Sequence, residues 1–234
     1  MIDIHSHLIH RVDDGSPDLE TSLKMLSKMS ESGTDSVFCT PHHRKPYIKS
    51  AESIKRKFSE LKAAAEERGI PVKLYLGQEI YCKIEEYKEL LKSGKVLTMN
   101  DGKFVLLEFD FNNHIDIAEV VYEVRAMGLI PIVAHIERYL YATIEEAYEI
   151  KKIGGFIQVN SDSVIGKGGH GVKKIVKQLF KEGFVDFVAS DVHFGRENTL
   201  GKAYEYVKKK FGIDAAEVTF NENAKRILKG QTLV

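Results

Sequence analysis

The sequence has few cysteines, no long apolar run and no excess of charge, and each absence narrows the class of protein. Cys39 and Cys82 are its two cysteines, which excludes a disulfide-rich scaffold and favours a reducing compartment, with a single disulfide as the alternative. No apolar run of membrane-spanning length and no signal-peptide pattern is found, so we expect a cytoplasmic protein. Lys plus Arg and Asp plus Glu both number 34. The balanced charge gives no general attraction to nucleic acid or acidic membranes.

The sequence does contain a repeated alternation of amphipathic and short apolar segments. Predicted helices end at glycines such as Gly33 and Gly183, and a run rich in β-branched and aromatic residues follows. These runs do not alternate with polar residues, which is typical of strands buried on both faces. The predicted strands are residues 2–5, 36–40, 72–78, 104–108, 130–134, 156–159 and 185–190, with a weaker eighth at 218–220.

The uninterrupted rhythm of strand and helix favours a single α/β domain over residues 1–234. It predicts a parallel sheet closed into a barrel, and an open doubly wound sheet is the structural alternative. No G-x-G-x-x-G or G-x-x-x-x-G-K-[ST] segment follows a predicted strand, so the usual nucleotide-binding signatures are missing.

Side chains that bind metals collect at the predicted carboxyl ends of the strands, where the sites of parallel barrels lie. H-x-H ends the first strand and D-x-H ends the seventh, and this i, i+2 spacing directs both side chains of a pair to one side. The candidates are His5, His7, Asp14, His42, Glu79, Glu108, His135, Asp191 and His193. Each alone has an ordinary interpretation as a solvated, capping or hydrogen-bonded side chain. Their shared position on six strands predicts a metal site.

The donor set narrows the choice of ion and of chemistry. Histidine and carboxylate without thiolate suit Mn, Zn, Fe or Mg. Nine ligands are too many for one tetrahedral ion, so we expect two or three divalent ions. Such centres generate hydroxide near neutral pH and hold attacking and leaving oxygens, which predicts hydrolysis, above all of phosphate esters. No C-x5-R segment surrounds either cysteine, so a cysteine-dependent phosphatase is not expected.

The ordered motifs resemble those of the PHP (polymerase and histidinol phosphatase) superfamily over nearly the whole chain. They are D-I-H-S-H, V-D-D-G, T-P-H-H, Q-E-I, L-L-E-F, A-H-I-E-R and S-D-V-H. They are most similar to its bacterial branch, the manganese-dependent protein-tyrosine phosphatases of capsule and exopolysaccharide synthesis. The resemblance implies a distorted (β/α)7 TIM-like barrel with a trinuclear centre, in which manganese is the expected ion.

The resemblance also implies a role for each candidate. The implied ligand sets are His5, His7, Glu79 and Asp191 for one ion, Glu79, Glu108 and His135 for a second, and Asp14, His42 and His193 for a third. Arg138 and Arg196 match arginines that bind the substrate phosphate, although the segment after His193 is shorter than the family pattern. His42 or Asp191 would assist departure of the leaving group.

The implied function is hydrolysis of phosphotyrosine in a protein by a hydroxide that bridges the metal ions. Arginine suits the phosphoryl oxygens because its planar fork binds them bidentately. The implied substrate is a bacterial tyrosine autokinase that regulates capsule or exopolysaccharide synthesis. Because members of the family often associate, the resemblance also admits a homo-oligomer, although the sequence does not fix the oligomeric state.

Three alternatives stay open at this point. They are a PHP-type small-molecule phosphatase such as histidinol phosphatase, a metal-loaded regulatory module, and an amidohydrolase-type barrel. Short strand-to-helix loops without a lid insertion favour an open site for a polypeptide.

Overall fold

A parallel sheet of short strands forms the centre of the protein. The structure is a computed structural model that describes residues 1–83 and 86–230. The strands are β1 (Ile2–Ser6), β2 (Ser36–Cys39), β3 (His42–His43), β4 (Lys73–Leu76), β5 (Glu79–Tyr81), β6 (Phe104–Glu108), β7 (Ile130–Val133), β8 (Phe156–Asn160) and β9 (Phe187–Ala189). Their order is β1-β2-β4 in one sheet and β3-β5-β6-β7-β8-β9 in the other, with parallel pairing in both.

These strands occupy seven positions because two of the predicted strands are interrupted. The predicted strand 36–40 ends at β2, and the chain resumes as β3 beyond Pro41, which has no N–H to donate. The predicted strand 72–78 ends at β4 and resumes as β5 beyond Gly77 and Gln78. β3 and β5 then pair with His42 opposite Glu79. The two breaks therefore bring a histidine and a carboxylate side by side at the end of the sheet.

The segment after β9 closes the barrel against β1. Ser6 forms a parallel bridge with Val192. The Asp191 N–H donates to the His5 carbonyl at 2.9 Å, and the His7 N–H donates to the Val192 carbonyl at 3.1 Å. These contacts confirm the predicted distorted (β/α)7 TIM-like barrel rather than an open doubly wound sheet. The extent of the domain, residues 1–234, stays a prediction because residues 84–85 and 231–234 lie outside the described part.

Helices cover the outside of the sheet. They are α1 (Leu19–Glu31), α2 (Ala51–Glu67), α3 (Tyr87–Lys92), α4 (Ile117–Ala126), α5 (Ile144–Lys152), α6 (Ser161–Ile165), α7 (His170–Lys181), α8 (Leu200–Phe211), α9 (Ile213–Glu217) and α10 (Asn223–Leu228). On β6, Val105 and Leu107 belong to the cluster that includes α4, whereas Phe104 and Leu106 belong to a separate inner cluster. This period of two carries Glu108 onto the inner face. Within residues 1–83 and 86–230, no helix combines the length and apolar character needed to cross a bilayer.

The weaker eighth strand predicted at residues 218–220 is wrong. β-Branched and aromatic residues favour strands, yet this segment lies in a π-helix, Val218–Glu222, between α9 and α10. The Thr219 hydroxyl donates to the Ala215 carbonyl at 2.7 Å, and Phe220 is fully buried. Burial of one face against the barrel therefore outweighs the local preference for a strand.

Candidate metal centre

The nine predicted ligands converge at the carboxyl ends of the strands. His5 lies in β1, His42 in β3, Glu79 in β5 and Glu108 in β6, and the other five lie in the segments that follow β1, β7 and β9. Eight of them are buried, and the Asp14 side chain is 37% exposed. Buried ionisable side chains are rare unless they are paired or bind a metal. Eight of them in one place therefore need either one another or bound ions as partners.

Three overlapping groups of donor atoms are suited to holding ions, each with its atoms within 4.8 Å of one another. They are His7, Asp14, His42 and His193; His5, His7 and Glu79; and His42, Glu79 and Glu108. Shared members join the three groups into one continuous centre. The grouping places His42 with Glu79 as well as with Asp14, so the assignment of ligands to individual ions stays a prediction.

Asp191 and His135 border these groups. Asp191 Oδ1 lies 3.4 Å from Nε2 of both His5 and His7. His135 Nε2 lies 2.9 Å from Glu79 Oε1, at hydrogen-bond geometry. The structure thus brings all nine predicted side chains into one contiguous cluster, with Glu79 near its middle.

The hydrogen bonding within this centre fits a metal site. Glu79 Oε2 lies 2.7 Å from His42 Nδ1, 3.3 Å from His5 Nε2 and 3.4 Å from His7 Nε2. Despite these short distances it is a buried oxygen without a properly directed hydrogen bond, as is Glu108 Oε2. Native buried polar atoms are nearly always paired. Donor atoms that face one another without directed hydrogen bonds are what an ion-coordinating cluster requires, so the residues present fit a divalent ion.

The electrostatics of the centre also call for positive charge. Burial is the largest single effect on the pKa of His42 and lowers it, but the charge of Glu79 and the contacts with Glu79 and Glu108 together outweigh burial, so the pKa rises to about 9. The pKa of His5 is likewise raised, against burial, by Glu79 and Asp191. In return, although burial opposes the change, the histidines hold the pKa of Glu79 and of Asp191 well below the usual range. Divalent ions meet the same demand by displacing protons from the ligands.

Two of the predicted ligands lie in strained backbone. His135 has φ of 32° and Asp191 has φ of 49°, a left-handed conformation that is uncommon for residues other than glycine. Each such residue costs on the order of 1–3 kcal/mol and persists where its surroundings fix it. The His135 N–H donates to Gln158 Oε1 at 3.0 Å, and the Asp191 N–H donates to the His5 carbonyl at 2.9 Å. Strain of this kind collects at functional sites, which agrees with the convergence of the ligands.

The two predicted phosphate-binding arginines line a common cavity of about 390 Å³ beside the cluster, together with Asp191 and Asn160. Arg138 is fixed from two sides, because its Nη1 donates to Asp191 Oδ2 at 3.2 Å and its guanidinium lies 4.6 Å from the centre of the Phe111 ring. The Arg196 N–H donates to the His193 carbonyl at 3.1 Å. An anion in this cavity would meet two guanidinium groups next to the donor cluster.

Four residues without an assigned role in the sequence analysis contact the predicted ligands. Asp13 Oδ2 lies 2.7 Å from His7 Nδ1 and accepts the His42 N–H at 3.0 Å. Arg44 Nη1 donates to Glu108 Oε1 at 3.3 Å, and the other two are Gln158 and Asn160 on β8. Asp13, next to Asp14, and Arg44, two residues after His42, could have been found by their closeness in sequence to predicted ligands. The amides gave only a weak signal, an i, i+2 pair at the end of a buried strand.

The comparisons with known proteins agree with this geometry. The family model described as "Capsular polysaccharide synthesis, CpsB/CapC" matches residues 1–229. Tyrosine-protein phosphatase CpsB of Streptococcus agalactiae is 36% identical over 240 residues, covering 98% of each chain. Tyrosine-protein phosphatase YwqE of Bacillus subtilis is 30% identical over 239 residues, covering 100% of this chain and 93% of that one.

Solved structures agree with the family match. A chain from the crystal structures of YwqE from Bacillus subtilis and CpsB from Streptococcus pneumoniae, described as metal-dependent tyrosine phosphatases, has a TM-score of 0.91. Its sequence identity is 29%, and the alignment covers 100% of this chain and 96% of that one. The histidinol phosphate phosphatase of Lactococcus lactis has a TM-score of 0.54 at 11% identity, covering 92% of this chain and 94% of that one, and shares the fold alone.

Proposed function

The chain belongs to the CpsB/CapC family of capsular polysaccharide synthesis, and from this premise we propose that it is a metal-dependent protein-tyrosine phosphatase. The observation that carries the proposal is the cluster of three overlapping histidine and carboxylate groups beside two arginines. A phosphotyrosine polypeptide is the proposed substrate. Membership of the family further supports a bacterial tyrosine autokinase of capsule or exopolysaccharide synthesis as the protein that carries the phosphotyrosine.

The proposed ligands are the nine predicted residues, for two or three divalent ions, with manganese as the expected ion. The four carboxylates Asp14, Glu79, Glu108 and Asp191 carry about −4 when ionised, whereas three divalent ions carry +6. The excess positive charge matches a phosphomonoester dianion. When bound, such ions stabilise the negative charge that develops on the phosphoryl oxygens.

The side chains of this chain bind and orient the phosphoryl group. Arg138 is held by Asp191 and by the face of Phe111, so its guanidinium is oriented before the substrate arrives and less entropy is lost on binding. Arg196 faces the same cavity and is proposed as its second phosphate ligand. The tyrosine leaving group has a pKa of about 10, so a strong general acid is not required, and His42 and Asp191 are the proposed groups for assisting its departure.

Two exposed apolar side chains close in sequence to site residues support a polypeptide substrate over a small metabolite. Leu140 is 85% exposed and Phe194 is 59% exposed, and they follow Arg138 and His193 closely in sequence. Exposed apolar side chains so close in sequence to the site residues can contact the residues that flank a phosphotyrosine. The similar curated relatives are named tyrosine-protein phosphatases, so the histidinol phosphatase alternative is not favoured.

Cysteine-dependent chemistry has no support in the structure. Cys39 and Cys82 are both fully buried. Burial raises the pKa of Cys39 to about 12 and that of Cys82 further above its ordinary value. Thiols that remain protonated near neutral pH are poor nucleophiles.

The test is hydrolysis of a phosphotyrosine peptide, with L-histidinol phosphate as the competing substrate. We expect kcat/KM to be far larger for the peptide, and activity to vanish after EDTA and return with Mn²⁺. His135→Gln removes a proposed ligand and should lower activity at least about 10- to 100-fold, the effect of losing a residue that only orients a ligand. His10→Gln, which alters a histidine paired with Glu60 away from the cluster, is the matched control and should retain activity. Greater activity on L-histidinol phosphate, or activity that survives EDTA, would contradict the proposal.

A further inference from the structure

Two amide side chains on β8 connect three of the predicted ligands. Gln158 and Asn160 are both buried and lie on the same face of the strand, because they are two residues apart. Buried amides have two donors and acceptors to satisfy, and these two satisfy them largely on ligand residues and on each other. Their hydrogen bonds therefore restrict how the ligands are oriented.

The direction of the first bonds is fixed by the backbone. The His135 N–H donates to Gln158 at 3.0 Å, and an N–H can only donate, so the acceptor must be Oε1. The same oxygen lies 3.1 Å from His5 Nδ1. His5 Nδ1 must therefore carry a hydrogen, and in the neutral ring Nε2 is left with its lone pair. That Nε2 atom faces Glu79 and Asp191, at 3.3 and 3.4 Å.

The remaining bonds run in the same direction to Asp191. Gln158 Nε2 donates to Asn160 Oδ1 at 2.7 Å, and Asn160 Nδ2 donates to Asp191 Oδ2 at 2.9 Å. Arg138 donates to that Oδ2 as well. Two donors on one oxygen leave Oδ1 as the atom of Asp191 that faces the histidines.

We propose that Gln158 and Asn160 are positioning residues for the metal centre. Together they select the Nδ1–H tautomer of His5, turn Oδ1 of Asp191 toward the ions, and hold the strained backbone of His135. Hydrogen bonds of this kind orient ligands, and their loss typically lowers metal affinity about 10- to 100-fold. The inference uses the ligand roles given under the proposed function and adds two residues to them.

The experiment measures Zn²⁺ affinity by competition calorimetry and the tautomer of His5 by NMR of the metal-free proteins. Gln158→Met and Asn160→Leu remove the polar groups at similar volume, and Gln158→Glu retains an oxygen for His5 Nδ1 and the His135 N–H. Thr199→Val is the matched control, because it breaks a buried hydrogen bond of 2.7 Å between Thr199 and Ser161 without touching a predicted ligand. Nitrogen-15 spectra of the metal-free proteins, recorded where the His5 ring is neutral, report which nitrogen of His5 carries the hydrogen, because an ion on Nε2 would by itself leave that hydrogen on Nδ1.

We expect Gln158→Met and Asn160→Leu to weaken Zn²⁺ binding about 10- to 100-fold, with Thr199→Val unchanged. The Nδ1–H signal of His5 should be lost in Gln158→Met and retained in Gln158→Glu. Equal affinity in wild type and Gln158→Met, or an unchanged His5 tautomer in Gln158→Met, would overturn the proposal, as would a wild type that binds no Zn²⁺. If these results hold but phosphotyrosine is not hydrolysed, the proposed function fails while the positioning role stands.

Discussion

Asp13 should be necessary both for the fold of the N-terminal segment and for the metal centre. Its carboxylate is buried and is close to three donors: His7 Nδ1 at 2.7 Å, the His42 N–H at 3.0 Å and the Gly15 N–H at 2.9 Å. We expect Asp13→Ala to leave all three donors without a partner, and Asp13→Asn to retain some of the three hydrogen bonds.

The magnitude follows from the hydrogen bonds and from the pKa. A buried donor left unsatisfied costs about 1–3 kcal/mol, so three donors predict a loss of about 3 kcal/mol or more for Asp13→Ala. Although burial opposes it, the charge of His7 and the hydrogen bonds from His7, Gly15 and His42 lower the pKa of Asp13 from 3.8 to about 2, which corresponds to about 2 kcal/mol from these same contacts. Because the folded-state pKa is depressed, this stability is present above pH 4 or so and is lost as the pH falls through about 2.

The assay is urea unfolding at pH 7 in EDTA, followed by Zn²⁺ titration of the folded proteins. Asp18→Ala is the matched control, because Asp18 Oδ1 accepts the Thr21 N–H at 2.7 Å as the N-cap of α1. Loss of this N-cap should lower the free energy of unfolding by about 1 kcal/mol and leave Zn²⁺ affinity unchanged. Asp13→Asn should instead lower Zn²⁺ affinity about 10- to 100-fold. The reasoning is refuted if the free energy of unfolding of Asp13→Ala lies within about 0.5 kcal/mol of the wild-type value. It is also refuted if Asp18→Ala weakens Zn²⁺ binding as much as Asp13→Asn does.

Three further predictions concern the same centre. Gly15→Ala should lower metal content and thermal stability, measured by elemental analysis and calorimetry, because its Cβ would lie 2.2 Å from the His7 carbonyl oxygen; wild-type metal content would contradict this. Arg138→Lys should lower kcat/KM for a phosphotyrosine peptide about 10-fold or more, because the guanidinium fork held by Asp191 is lost. Kinetics equal to wild type would show that Arg138 does not bind the phosphate. Because the pKa of His42 is raised to about 9, its proton stabilises the metal-free fold below pH 6.5 and this contribution is lost as the pH rises through about 9. Metal binding at pH 7 should therefore release protons, seen as a buffer-dependent calorimetric enthalpy, and an enthalpy independent of buffer would contradict it.

The barrel and the convergence of the ligands were predictable from the sequence because both follow from strict periodicity. Helix-ending glycines such as Gly33, with φ of 88°, mark where each strand begins, and parallel strands place their carboxyl ends together. The strand predicted at 218–220 was wrong because burial of Phe220 against the barrel is a tertiary effect that local preference does not contain.

The parts of the site that were not predicted depend on contacts distant in sequence. Gln158 reaches His5 across 153 residues, and amides give no sign in a sequence of the ring they orient. The side of Asp191 that faces the centre depends on Arg138 and Asn160 together, a three-residue arrangement set by packing. Residue types and spacing predict which side chains meet, whereas tautomers and orientations require the hydrogen bonds themselves.

The most direct test of the central claim is elemental analysis of active protein combined with selective inactivation. We expect two to three divalent ions per chain, complete loss of phosphotyrosine hydrolysis after EDTA, and no loss after iodoacetamide, because Cys39 and Cys82 are fully buried. Fewer than two ions in fully active protein, or activity that survives chelation and is lost on alkylation, would contradict a multinuclear metal-dependent phosphatase.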